Sequence, residues 1–249
     1  MSIILFLIII LILHFFLYKK ENFTVTNEDD IKVLYQMLYD TDKILKSNNI
    51  NYYIDGGTLL GAVRHKGIIP WDDDGDICIF KSQEKQFLNL KEHFSNFGYQ
   101  IDSYWGGYKI YPKNGKEIKY KNSNWTWYYD NGEEKEIEKP NYKFPFIDVS
   151  IVTKQNNKYH YYDDVVKSHW KQCYYDEGNL FNLKRYKFGN FFLDGPNNPY
   201  QYLDSCYGKD WNTVGKQNYD HLNMKFLKNE VNELEKLYKP ACPNFKVKK

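Results

Sequence analysis

The stretch Tyr53-Ile54-Asp55-Gly56-Gly57-Thr58-Leu59-Leu60-Gly61-Ala62-Val63-Arg64-His65-Lys66-Gly67-Ile68-Ile69-Pro70-Trp71-Asp72-Asp73-Asp74-Gly75-Asp76-Ile77-Cys78-Ile79 decides the reading of this chain. Residues 51–55 predict a short strand, and Gly56-Gly57 a tight turn with close backbone approach. Residues 58–63 predict a short helix, 64–70 a loop, and 75–80 a second strand. A glycine pair opening a helix presents backbone N–H groups to an anion. Gly56, Gly57 and Thr58 are therefore candidates for seating a phosphate, and Arg64 for gripping it bidentately. As a lone signal, Gly-Gly is only a turn; the carboxylates downstream give it meaning. His65 and Lys66 read as loop residues.

In an extended strand, residues i and i+2 face the same side. Asp74 and Asp76 thus project together, with Asp72 in phase if extension begins early, while Ile77 and Ile79 face a core. Parallel carboxylates about 7 Å apart at Cα repel each other unless a cation lies between them. Oxygen-only ligands suit Mg²⁺ or Mn²⁺. A solvated acidic loop is the plainer alternative, but it needs no isoleucine-rich strand behind it. An EF-hand is excluded: counted from Asp72, the sixth and twelfth loop positions hold Ile77 and Gln83 rather than Gly and Glu.

Working outward, residues 28–48 predict a helix capped by Thr26, with Ile31, Leu34, Leu38 and Leu45 on one face. Residues 83–97 predict an amphipathic helix with Phe87, Leu90, Phe94 and Phe97 inside. Residues 99–112 read as a strand pair around Gly106-Gly107, 125–129 as a strand, Asn131-Gly132 as a turn and 133–139 as a charged loop. Residues 144–152 form a strong strand with Asp148 in its middle. An isolated buried carboxylate is costly unless paired or cation-bound. Asp148 is therefore a third metal ligand or a catalytic base, with a salt bridge to a lysine or arginine as the structural alternative. Further on, 162–171 predict a helix, 188–193 a strand, 200–206 a helix ending at Gly208, and 218–238 a helix with Leu227, Val231, Leu234 and Tyr238 on one stripe. Trp105, Trp125 and Trp127 suit stacking on a sugar or base, or packing.

The chain's 249 residues fit one domain, or one domain with an appendage, and are enough to bury a real core. Lys+Arg 34 against Asp+Glu 32 leaves no basic footprint for nucleic acid. Four cysteines are too few and too scattered for a disulfide scaffold, and without a C-x-x-C pair a zinc site is unsupported; one or two disulfides stay open. Ile3 to Tyr18 is apolar except for His14. As a helix it spans roughly 24 Å, slightly short of a ~30 Å hydrocarbon core. It lacks a basic n-region and a small-residue cleavage site, so an uncleaved anchor is expected rather than a signal peptide. Lys19-Lys20 after it favour a cytosolic domain. The sequons Asn22-Phe23-Thr24 and Asn124-Trp125-Thr126 would require a lumenal one. The expected organisation is an anchor over 1–20, a catalytic domain over 21–239 and a flexible tail over 240–249.

Asp55 to Arg64 followed by Ile69-Pro70-Trp71-Asp72-Asp73-Asp74-Gly75-Asp76 resembles, without gaps, the signature of the LicD family, which includes bacterial phosphocholine transferases and resembles the fukutin and fukutin-related proteins. Asp148 and Tyr207-Gly208-Lys209-Asp210-Trp211 are similar to later family features, and the resemblance covers about residues 30–212. It implies an α/β nucleotidyltransferase-like fold, a small mixed sheet flanked by helices. It also implies transfer of a phospho-alcohol, such as phosphocholine or ribitol phosphate, from a CDP-linked donor to a glycan or glycoconjugate hydroxyl. Asp74, Asp76 and Asp148 would bind metal, and Asp148 would help deprotonate the acceptor. Gly56, Gly57, Thr58 and Arg64 would seat the donor phosphates. The anchor resembles that of the fukutin group, whose catalytic domain faces the Golgi lumen. Two other readings remain: an Asp-x-Asp glycosyltransferase using a nucleotide sugar, and an inactive membrane-anchored glycan-binding protein.

Overall fold

A computed structural model gives the structure of the chain and describes residues 23, 25–104, 106–123, 127–128, 134–135, 139–232, 234 and 239–248. The expected anchor, both sequons in part or whole, Trp105, Trp125 and the Asn131-Gly132 turn lie outside the described residues. Among the described residues, no helix is long and apolar enough to cross a membrane.

The first helix, α1 (Glu28–Ser47), starts one residue later than the Thr26 cap would place it, because Asn27 is the cap and accepts from the Asp29 N–H. Glu28, Asp29 and Asp30 in the first turn and Lys46 in the last complement the helix dipole. Ile31, Leu34, Leu38 and Leu45 are buried, as their spacing predicts.

The strands β1 (Tyr52–Ile54), β2 (Gly75–Phe80), β3 (Tyr99–Tyr104), β4 (Gly107–Pro112), β5 (Ile147–Gln155), β6 (Lys158–Tyr161) and β7 (Tyr175–Asp176) form one seven-stranded mixed sheet. Its order is β1-β2-β5-β6-β7, and the β3–β4 hairpin joins the first half of β5. The β2–β5 pair is parallel, and the pairings β1–β2, β4–β5 and β5–β6 are antiparallel. Leu34 and Leu38 of α1 reach Gly75 beside Ile147, so α1 covers the face of the sheet that carries the isoleucines. Truncating either leucine to alanine is expected to cost about 2–5 kcal/mol.

Between β1 and β2 lies α2 (Gly56–Arg64), beginning at the glycine pair. The helix expected over 83–97 is instead two pieces, α3 (Glu84–Leu88) and α4 (Lys91–Asn96). Phe87, Leu90 and Phe94 still point inward, whereas Phe97 is half exposed. A single straight helix is not needed to bury the three inner rings and side chains. After α5 (Asp164–His169), residues 184–195 form the hairpin β8 (Lys184–Phe188) and β9 (Phe191–Gly195), turning at Gly189 with φ 62°. The single strand expected over 188–193 therefore straddles the turn between two strands. Helix α6 (Tyr200–Tyr207) ends at Gly208, as expected.

Of the helix expected over 218–238, residues 218–232 belong instead to a second hairpin, β10 (Val214–Asp220) and β11 (Lys225–Asn232), while 233 and 235–238 lie outside the described residues. Local chemistry makes the turn: the Asp220 carboxylate accepts from the Asn223 N–H at 2.9 Å, and Met224 takes φ 51°. Tertiary contacts then hold β10. Gln217 donates to the Trp71 carbonyl, and the Trp71 indole donates to the Lys216 carbonyl. The expected loose tail also packs. The Ala241 N–H donates to the Ile68 carbonyl, Tyr35 donates to the Ala241 carbonyl, and Ala241 and Val247 are buried. Cys173 and Cys206 are joined by a disulfide, while Cys78 and Cys242 are free.

Candidate active site

The parallel β2–β5 register sets Asp76 opposite Asp148. Asp74 immediately precedes β2, tied in place where the Gly75 N–H donates to the Phe146 carbonyl at 3.0 Å. One carboxylate oxygen from each of Asp74, Asp76 and Asp148 lies within 4.8 Å of the others. The three candidates named from the sequence therefore do converge.

Burial and crowding act in the same direction on Asp74, Asp76 and Asp72. Burial pushes the Asp74 carboxyl up to about 7, with His221 opposing and Asp148 adding to the rise. Asp76 is raised well above the usual carboxylate range by burial, then by Asp74 and Asp72. Asp72 is raised likewise by burial and by Asp74 and Asp73. An oxygen-only set under mutual repulsion fits a hard divalent cation, which would relieve both costs.

The N-terminus of α2 meets this cluster directly. The Thr58 N–H donates to Asp76 Oδ2 at 3.3 Å, and Thr58 Oγ1 accepts from the Asp76 N–H at 2.8 Å. Gly56 has φ 49°, and a Cβ there would lie 2.7 Å from Asp76 Oδ2. At Gly57 a Cβ would lie 2.5 Å from Asp72 Oδ2. The glycines thus let two carboxylates come up against the backbone, and the helix N-terminus faces Asp76. Gly56, Gly57 and Thr58 are placed at the cluster, while the Thr58 N–H itself serves Asp76.

Arg64 is placed elsewhere. It ends α2, roughly 12 Å along the helix from Gly56 by rise. Its guanidinium donates to the carbonyls of Trp211 and Val214, and its Nε faces His65 Nδ1 at 3.3 Å. It clamps the segment leading into β10, so its expected place on the donor phosphate does not follow from the geometry.

Three further groups complete the site, and the sequence reading missed them. Asp55, buried before α2, accepts from Tyr161 at 2.7 Å, Cys78 at 3.3 Å and Tyr175 at 3.4 Å. Burial raises its carboxyl, and hydrogen bonds from Tyr161, Tyr202 and Cys78 pull it back. Lys109 stands opposite Asp148 across β4–β5 and bonds it at 2.5 Å. Its buried ammonium lies 3.4 Å from the Phe146 ring centroid and 4.3 Å from that of Tyr104. The salt bridge considered for Asp148 therefore exists beside its place among the metal candidates. His221, on the β10–β11 turn, meets Asp73 Oδ1 through Nδ1 at 2.6 Å and Asp74 Oδ2 through Nε2 at 3.3 Å. Burial alone would lower its pKa, but Asp74 and Asp73 raise it to about 10. Asp73, Asp74 and His221 form a second group able to hold a metal. The acidic run at 72–76 signalled that cationic partners were needed, but nothing local in the sequence named them.

A mixed sheet flanked by helices thus carries Asp74, Asp76 and Asp148 at one end of its parallel pair, facing a glycine-led helix. The family model "LicD/FKTN/FKRP, nucleotidyltransferase domain" matches residues 49–198. An uncharacterised protein of Rickettsia prowazekii is 32% identical over 216 residues, 84% of this chain and 69% of that protein. The lipopolysaccharide cholinephosphotransferase LicD of Haemophilus influenzae is 49% identical over 41 residues, 16% of each chain. The ribitol 5-phosphate transferase FKRP of Mus musculus is 49% identical over 37 residues, 15% of this chain and 8% of that one. The chain belongs to the LicD/FKTN/FKRP family.

Proposed function

We propose that this protein is a phosphotransferase that moves a phospho-alcohol, of the phosphocholine or ribitol phosphate kind, from a CDP-linked donor to a glycan or glycoconjugate hydroxyl, with Mg²⁺ or Mn²⁺. One observation carries the reading: Asp74, Asp76 and Asp148 converge within 4.8 Å at the N-terminus of α2. Family membership and the names of the two transferase relatives support it.

In the reaction, the acceptor oxygen forms a bond to phosphorus, the bond from phosphorus to the CMP oxygen breaks, and CMP leaves with that electron pair. The acceptor proton passes to a carboxylate at the site, for which Asp148 is assigned. A divalent cation bound by the three aspartates would supply neutralisation of the donor's diphosphate charge. Gly56, Gly57 and Thr58 shape the floor of the site, and Asp55 with its tyrosines fixes the start of α2.

Incubation with CDP-alcohols, Mg²⁺ and a hydroxyl-bearing glycan should release CMP and give a phosphodiester. A nucleoside diphosphate with a simple glycoside would instead establish the glycosyltransferase reading. No turnover with any donor would favour the inactive binding protein. The proposal includes membrane attachment through residues 3–18, tested by carbonate extraction; release of the full chain into the supernatant would refute it.

A further inference from the structure

We propose that His221, on the turn of the β10–β11 hairpin, is a positioning residue that fixes the Asp74 carboxylate for the cation. The inference rests on the cation site of the proposed function. His221 lies beyond the segment matched by the family model, and 148 residues along the chain from Asp73.

The imidazole is held in one orientation. Its Nδ1 meets Asp73 Oδ1 at 2.6 Å, and the His221 backbone N–H donates to the other oxygen of the same carboxylate at 3.0 Å. Asp73 is thereby gripped at both oxygens. The ring stands edge-on to Phe146, centroids 5.4 Å apart at 89°, and against Tyr219 at 4.8 Å and 71°. With the ring locked, Nε2 has one place to go, and Asp74 Oδ2 occupies it at 3.3 Å.

Phe146 also anchors the loop itself, since its carbonyl accepts from the Gly75 N–H. The residues on either side of Gly75 are Asp74 and Asp76, two of the three converging aspartates. The hairpin therefore holds Asp74 at its carboxylate, while Phe146 holds the adjacent backbone. Partners of this kind, outside the ligand shell, commonly set metal affinity by 10–100-fold.

A substitution that changed the charge beside Asp74 would by itself alter cation affinity. The test must cancel that effect. His221→Asn keeps a donor at the Nδ1 position but cannot reach Asp74. His221→Gln places its donor at the Nε2 position and can. Both are neutral. Mn²⁺ binding to the detergent-solubilised full chain is read from the electron paramagnetic resonance signal of free Mn²⁺, with a melting temperature for each variant.

The expected result is an affinity at least tenfold weaker for His221→Asn than for His221→Gln, with both folded. Should His221→Asn fail to fold, His221→Phe fills the space without a donor and is expected to show the same loss. Equal affinities, or tighter binding by His221→Asn, overturn the proposal. So does the loss of one of two bound ions in both variants, which would make His221 a ligand. Absence of saturable binding by the wild-type chain defeats the cation site of the proposed function as well. Saturable binding left equal by the two substitutions defeats only the role of His221.

Discussion

Substituting Asp74 by asparagine separates a site built for a cation from an acidic loop built for stability. In the cation-free protein, burial with its neighbours lifts the Asp74 carboxyl from its ordinary 3.8 to about 7. A folded-state value above the unfolded one means that folding favours the protonated form. The resulting cost is absent below about pH 4 and complete above about pH 7. Three units correspond to on the order of 4 kcal/mol, an upper bound because crowded neighbours share protons. Asp74→Asn keeps the shape and removes the charge, and the favourable pull of His221 on that charge is already contained in the net value. The variant should therefore be about 1–3 kcal/mol more stable than wild type at pH 8 in EDTA, with the difference closing towards pH 4. Mn²⁺ at a hundred times its dissociation constant should stabilise the wild type by about 2.7 kcal/mol and the variant hardly at all. Urea unfolding under each condition measures both. A variant less stable than wild type in EDTA would refute the reasoning, because Asp74 would then be a structural partner of His221. Equal stabilisation of both by Mn²⁺ would refute it equally.

Arg64→Ala should lower stability by about 2–4 kcal/mol, since it strips the Trp211 and Val214 carbonyls of a buried donor. A tenfold rise in donor KM without loss of stability would return Arg64 to the phosphate. Gly57→Ala should change stability by no more than about 1 kcal/mol, because alanine favours the helix while its methyl pushes Asp72 aside. Activity should nevertheless fall at least tenfold, and wild-type turnover would show that the close approach is incidental. Phe23 stacks on Trp71 with centroids 4.1 Å apart at 10°. Deleting residues 1–24 should thus leave a domain about 1 kcal/mol less stable than deleting 1–22, and identical unfolding curves would count against that packing.

Much of the site was legible locally. The alternation of Asp74 and Asp76 with Ile77 and Ile79 placed the carboxylates and the core on opposite faces of β2, and the structure keeps that phase. The glycine pair marked the start of α2, and Asp148 stood out as a carboxylate inside an apolar strand. These features follow from the two-residue and 3.6-residue periods, which need only near neighbours. Residues 218–238 misled for the same reason. Leu227, Val231 and Leu234 repeat at helical spacing, yet β10 is held by pairing with β11 and by Trp71, far away in sequence.

What the sequence by itself determined was the character of each segment and the need of the acidic run for positive charge. The tertiary structure alone decided which groups answer that need. It set Asp148 opposite Asp76 through a parallel register, turned Arg64 to the carbonyls of Trp211 and Val214, and brought Lys109 and His221 to the carboxylates. Long-range partners are chosen by how the sheet pairs and how hairpins dock, and neither is encoded in the spacing of neighbouring residues.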